Sequence, residues 1–140
     1  MNILRYALLG VMSFVFTSLI DSLWHLVIFK KSYAEGIKPM ARMNGEKISF
    51  KAGPGILSQV LVVTSLVILV LVAAEHGTSF LAALVGALAG VLAISVYGVT
   101  NYSLFRDWNL TLTVLEFIWG PLLGGMSGLF VHWAKSLVIR

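Results

Sequence analysis

Four long runs of apolar residues, at about 3–29, 55–74, 80–105 and 110–134, fill most of the chain, and polar residues gather between them. A helix rises 1.5 Å per residue, so about 20 predominantly apolar residues cross a ~30 Å hydrocarbon layer. Each run meets that length. Inside lipid a spanning run must satisfy its own backbone groups, which a helix does internally. The pattern therefore predicts an all-α transmembrane four-helix bundle, a single integral membrane domain over 1–140. Its longest polar stretch is a basic loop at 30–54. The first run has Arg5 ahead of it but continues past Asp21 to Phe29, with no small-x-small cleavage site behind a short apolar segment. It reads as a retained span rather than a signal peptide.

Finer spacing adds detail to each run. In the loop, Tyr33, Ile37 and Met40 are spaced for one helix face, but Pro39 disfavours helix at Lys38. The expectation there is a short turn on the membrane surface, beginning at Pro39. The second run has Ser58, Gln59, Thr64 and Ser65 as its polar members and reads as mainly lipid-facing. Glu75, His76, Gly77 and Thr78 separate it from the third, so short a link that the two runs are antiparallel neighbours. Ala82, Gly86 and Gly90 recur every four positions, as do Gly120, Gly124 and Gly128. Such glycine stripes let helix backbones approach closely, within one chain or between chains.

Composition agrees with lipid as the solvent. Hydrophobic residues make up 59% of the chain and charged residues 11%, too little polar side chain to cover a water-soluble fold. There is no cysteine, which excludes disulfides, thiolate metal sites and thiol nucleophiles. The +4 net charge is uneven. Lys30, Lys31, Lys38, Arg42, Lys47, Lys51 and Arg106 lie on one side of the predicted bundle; Arg5, Lys135 and Arg140 lie on the other. This bias predicts a multi-pass inner (plasma) membrane protein with loops 30–54 and 106–109 cytoplasmic and both termini outside. The basic loop is expected to meet anionic lipid headgroups, and nothing in it points to nucleic acid.

Two carboxylates lie inside spans, Asp21 and Glu116. A charged carboxylate at mid-membrane costs about 2.5–3.5 kcal/mol on insertion scales and usually faces the bundle interior or water. Counting 1.5 Å per residue from the boundaries puts both about 12–13 Å below the cytoplasmic face. Tyr97, Thr100 and Asn101 fall at about 7–14 Å on the same scale. Ser18, Asp21, Ser22 and His25 share one face of span one; Tyr97, Thr100 and Asn101 share one face of span three; Trp119 follows Glu116 by one turn. If these faces converge they form a small polar pocket. Otherwise they satisfy one another as an interhelical network, each bond worth about 0.6 kcal/mol.

Other chemistries find less support. Asp, His and Glu suit zinc or iron, but no His-x-x-x-His or Glu-x-x-His pair is present, so no metal site is assigned. Haem between His76 and His132 is a weak possibility, and no cofactor is identified. Trp24, Trp108, Trp133, Tyr6 and Tyr102 read as interfacial anchors. Neither a Gly-x-Ser-x-Gly elbow nor a phosphate loop occurs.

The segment Tyr97-Gly-Val-Thr-Asn101, then Leu104, Trp108-Asn-Leu-Thr-Leu-Thr-Val-Leu-Glu116-Phe-Ile-Trp119-Gly120 resembles the signature of small bacterial four-span proteins called "domain of unknown function 2177". That family typically reads Tyr-Asp-x-Thr-Asn, a Trp near the turn, then Leu-Thr-x-x-Asp-x-x-Trp-Gly. Asp21 to Trp24 is similar to its first-span Asp-x-x-Trp, and an aromatic-Tyr region matches near Tyr33. The resemblance implies a four-helix inner-membrane protein and brings no established activity. Gly98 stands where the family usually has Asp, and Glu116 where it usually has Asp.

Three functions follow as expectations. The first is a binding or transport-like bundle, in which Asp21, His25, Tyr97, Thr100, Asn101, Glu116 and Trp119 hold a polar solute, a cation or a lipid headgroup. The second is an accessory or assembly subunit, or a homo-oligomer, packing through Gly86, Gly90, Gly120, Gly124 and Gly128. The third, least supported, is a lipid-modifying enzyme with a carboxylate base beside His25.

Overall fold

The computed structural model describes residues 2–74 and 77–139, so Glu75, His76 and Arg140 lie outside the described residues. Four helices are long and apolar enough to cross a membrane: Ile3–Ile28, Ala52–Ala73, Ser79–Leu104 and Leu110–Val138. The chain is an all-α membrane bundle. Its elements are α1 (Asn2–Leu23) with a π-helical turn at Trp24–Ile28, α2 (Lys30–Ile37), the strands β1 (Met43–Asn44) and β2 (Lys47–Ile48), α3 (Ala52–Ala73), α4 (Ser79–Gly90), a second π-helical turn at Val91–Ser95, α5 (Val96–Leu104) and α6 (Leu110–Val138). Two helices begin on side-chain caps: Thr78 accepts from the Leu81 amide at 3.3 Å, and Asn109 from the Leu112 amide at 2.9 Å.

The basic loop differs from expectation. Helix resumes at Lys30, after Phe29, and stops at Ile37; Lys38 still has helical φ −50° and ψ −42° and bonds Ala34 O, but Pro39 has no amide hydrogen to carry the ladder further. The expected turn is present at 38–40, closed by the Met40 amide on Ile37 O at 2.9 Å, and it follows a helix that the spacing does not place at Lys30–Ile37. Beyond it lies a hairpin that the helical spacing of Tyr33, Ile37 and Met40 did not suggest. Met43 pairs with Ile48 and Asn44 with Lys47, joined through Gly45 at φ +61°. Glycine tolerates that left-handed conformation without steric cost.

The last helix is the hub, packing against every other helix of the bundle. Its glycines face those of α4. A Cβ on Gly86 would meet the Gly124 carbonyl, one on Gly90 the Gly120 carbonyl, and one on Gly128 the Ala82 carbonyl. Backbone therefore lies directly on backbone along this seam, and both sets of glycines are used within the chain. A second core gathers Leu9, Val63, Leu66, Val67, Val70, Ala82 and Val131 between α1, α3, α4 and α6. Most of α3 is otherwise exposed, as expected of a lipid-facing span.

Pro121 sits inside α6 and cannot donate the amide hydrogen that would reach the Phe117 carbonyl one turn back. Ser95, at the end of the second π turn, donates its hydroxyl to that carbonyl at 3.1 Å and reaches the Glu116 carbonyl at 3.3 Å. The helix thus keeps a freed acceptor satisfied where water is absent. We expect Gly90→Ala to lower unfolding stability in detergent by about 1–3 kcal/mol, since the new methyl meets partner backbone. Gly10→Ala, with nothing within 4 Å, is expected to be neutral or stabilising. Equal behaviour of the two variants in thermal unfolding would refute the backbone-contact seam.

Candidate functional site

The site is built where the foot of α1 meets the first turns of α6. Asp21 follows Thr17 by one turn, and Thr17 already faces α6, its hydroxyl bonded to Ser127 at 3.0 Å. Asp21 therefore points the same way and accepts from Trp119 Nε1 at 2.8 Å. His25 Nδ1 lies 2.9 Å from the Asp21 backbone carbonyl and 3.2 Å from Asp21 Oδ1. Both are acceptors, so Nδ1 carries the hydrogen. The other nitrogen, Nε2, faces Glu116 Oε1 at 3.6 Å. One imidazole thus links a carboxylate of the first span to a carboxylate of the last. Its two nitrogens aim at different carboxylates, so the imidazole bridges the two spans.

An aromatic shell surrounds this bridge. Trp24 stacks on Trp119 with ring centres 4.3 Å apart and planes 8° apart. Tyr33 lies 4.3 Å from the His25 ring and accepts from Trp24 Nε1 at 3.1 Å. Burial first, and then the negative charge of Glu116, hold the Tyr33 phenol above its ordinary pKa, so it stays a neutral hydroxyl. Leu112, Leu115, Phe29, Ile37 and Trp108 pack around Tyr33 and seat α2 on the base of α6. Asp21 and His25 retain 30% and 27% of their side-chain exposure, while Glu116 retains 11%.

The structure brings together four of the seven residues expected to form a polar layer: Asp21, His25, Glu116 and Trp119. Tyr97 and Thr100 are corrected. Tyr97 is 56% exposed and meets Trp108 edge-on, and Thr100 is also exposed. The reason is rotational. Gly98 is the residue of α5 that touches α6, and Tyr97 is turned roughly 100° from it. Asn101, one turn beyond Gly98, is buried with 8% exposure on the α6 side. Ser22 is exposed as well. Gly98 has a positive role here: a Cβ on it would come within 2.7 Å of Glu116 Cβ.

Two participants differ from their sequence reading. Trp24 is inside the site rather than an interfacial anchor, and Tyr33, read as a residue of the basic loop, is buried on a helix. Both follow from the π turn at Trp24–Ile28, whose Phe29 amide bonds Trp24 O at 2.9 Å. The extra residue in that turn shifts the register of the helix end, and α2 after it packs on α6. The Asp21-to-Trp24 motif was the one sequence signal that pointed at Trp24.

A family model described as "Predicted membrane protein (DUF2177)" matches residues 6–133, nearly the whole chain. The chain belongs to this family. No curated protein and no solved structure matches it.

Replacing Trp119 by Phe keeps the stacked ring and removes only the donor to Asp21. We expect a loss of about 1–2 kcal/mol, a charge-assisted bond discounted for the part-exposed carboxylate; unchanged unfolding stability would show that the bond has no net worth. Tyr33 supplies an alkaline prediction. Its folded pKa is raised, so its stabilising contribution is complete below the ordinary phenol value and declines as pH rises through the folded one. An ultraviolet titration should show one of the four tyrosines ionising after the others, and Tyr33→Phe should remove that late step.

Proposed function

We propose that this membrane protein is a binding protein that holds a small cationic solute or an amine headgroup at the Asp21–Glu116 pair. The observation that supports this reading is the meeting of two costly carboxylates on one imidazole within the bundle. The layer lies about 9–11 Å below the helix ends at Ile28 and Leu110, by residue count along each helix. A network serving stability alone could be replaced by apolar packing at little loss. Here both known partners of Asp21 engage Oδ1, and close to a third of the side chain stays open. An acceptor in that position suits a cation. The surrounding Trp and Tyr rings favour cations as well.

The same proposal includes orientation. With loops 30–54 and 106–109 on the cytoplasmic side of the inner membrane and both termini outside, the site is nearer the cytoplasmic face. The alternative, an accessory subunit or homo-oligomer docking through its glycine stripes, is less well supported, because Gly86, Gly90, Gly120, Gly124 and Gly128 pack inside the chain.

The test uses full-length protein in lipid nanodiscs, with potassium, magnesium and ethanolammonium as probes. At least one of these is expected to raise the unfolding temperature of the wild type, since a ligand at a hundred times its Kd adds about 2.7 kcal/mol. Asp21→Asn/Glu116→Gln should insert normally and lose that response. An equal response in the double variant, or none in the wild type, would overturn the reading.

A further inference from the structure

The basic segment between the first two spans has an amphipathic form that the polar site does not use. Arg42 is tied to Ser49 by a 2.7 Å bond from the Ser49 amide, which extends the ladder of the Met43–Ile48 and Asn44–Lys47 pairs by one step. Paired residues share a face, and successive residues alternate faces. Met43 and Ile48 therefore lie on one face, followed on the same side by Phe50. Arg42, Asn44, Lys47 and Ser49 lie on the other. Met43, Ile48 and Phe50 are 40%, 39% and 76% exposed, so each keeps apolar area open on this face.

Two further observations bear on what this face meets. The Phe50 ring rests against Gly55 in the first turn of α3. The apolar face thereby continues into Ile56 and Leu57, which are 58% and 60% exposed on a span that lipid surrounds. Charge supplies the second. Within 30–54 six cations stand against only Glu35 and Glu46, so this one segment carries the net charge of the entire chain, +4. Lys38, Arg42, Lys47 and Lys51 are all exposed around the hairpin. Apolar residues at headgroup depth with a cationic rim describe an interfacial anchor.

We infer that residues 38–51 form an interfacial hairpin that docks on anionic lipid headgroups, with Met43, Ile48 and Phe50 inserted and Arg42, Lys47 and Lys51 on the phosphates. A basic side chain near an anionic surface adds attraction that weakens within a Debye length. Gly45 is the residue that lets the two-residue turn close and hold both faces in register. The surface is independent of the carboxylate site, which lies within the bundle.

The absence of cysteine provides a direct test. Met43→Cys, on the apolar face, and Asn44→Cys, on the polar face, each receive an environment-sensitive fluorophore in the full-length protein. Emission is compared in nanodiscs of phosphatidylcholine and of an equal mixture with phosphatidylglycerol. The expected result is a blue shift at position 43 in the anionic discs, a smaller one at position 44, and loss of both shifts at high salt. Neutralising Arg42, Lys47 and Lys51 to Gln should remove the dependence on anionic lipid, while the unfolding temperature in neutral discs stays unchanged. The same emission in both lipids, or equal shifts at the two positions, would overturn the inference.

Discussion

Lipid offers no hydrogen bonds, and the internal arrangement of this bundle follows from that constraint. Backbone groups within the hydrocarbon layer must be satisfied inside the protein, and polar side chains there gain by meeting partners. Three such meetings order the helices. Thr17 bonds Ser127 midway along α1 and α6, Ser95 serves the carbonyl released by Pro121, and Asp21 takes the Trp119 indole. Each joins elements far apart in sequence. None is strong alone, as interhelical polar bonds in membranes are worth about 0.6 kcal/mol on average. Their joint effect is to fix rotation, because a turned helix would leave several groups unpaired at once.

Close packing provides what polar bonds cannot. The α4–α6 seam has glycine against backbone over three turns, so dispersion contacts accumulate without apolar side chains between the axes. This seam fixes α5 as well, and through Gly98 leaves Glu116 room beside His25. Stability and site are coupled in one helix: α6 contributes the seam, the carboxylate and the indole. The first span contributes the other carboxylate, and the short α2 closes the foot of the bundle with Tyr33.

Much of this architecture was legible in the sequence, for a clear reason. Span length and small-residue spacing depend on one dimension, rise per residue, and helices obey it closely. Asp21, His25, Glu116 and Trp119 could be grouped because depth and facing are periodic within single helices. Tyr97 and Thr100 could not be excluded, since spacing shows which residues share a face but not where that face points. The direction was set by Gly98, whose lack of a side chain made it the contact. The π turns carry no marker residue, so Trp24 reads from the sequence as an interfacial anchor and Tyr33 as a residue of the basic loop. The hairpin was hidden by the helical spacing of the loop's apolar residues. Alternation about Gly45 was the signal that would have found it.

The central claim is that Asp21, His25 and Glu116 act as one unit across the first and last spans. A double-mutant cycle on Asp21→Asn and Glu116→Gln, measured by unfolding in a bilayer mimic, tests it most directly. The imidazole stands between the two carboxylates, so their effects should be non-additive, with a coupling of about 0.5–1.5 kcal/mol that falls when His25 is Phe. Strict additivity with His25 in place would contradict the account.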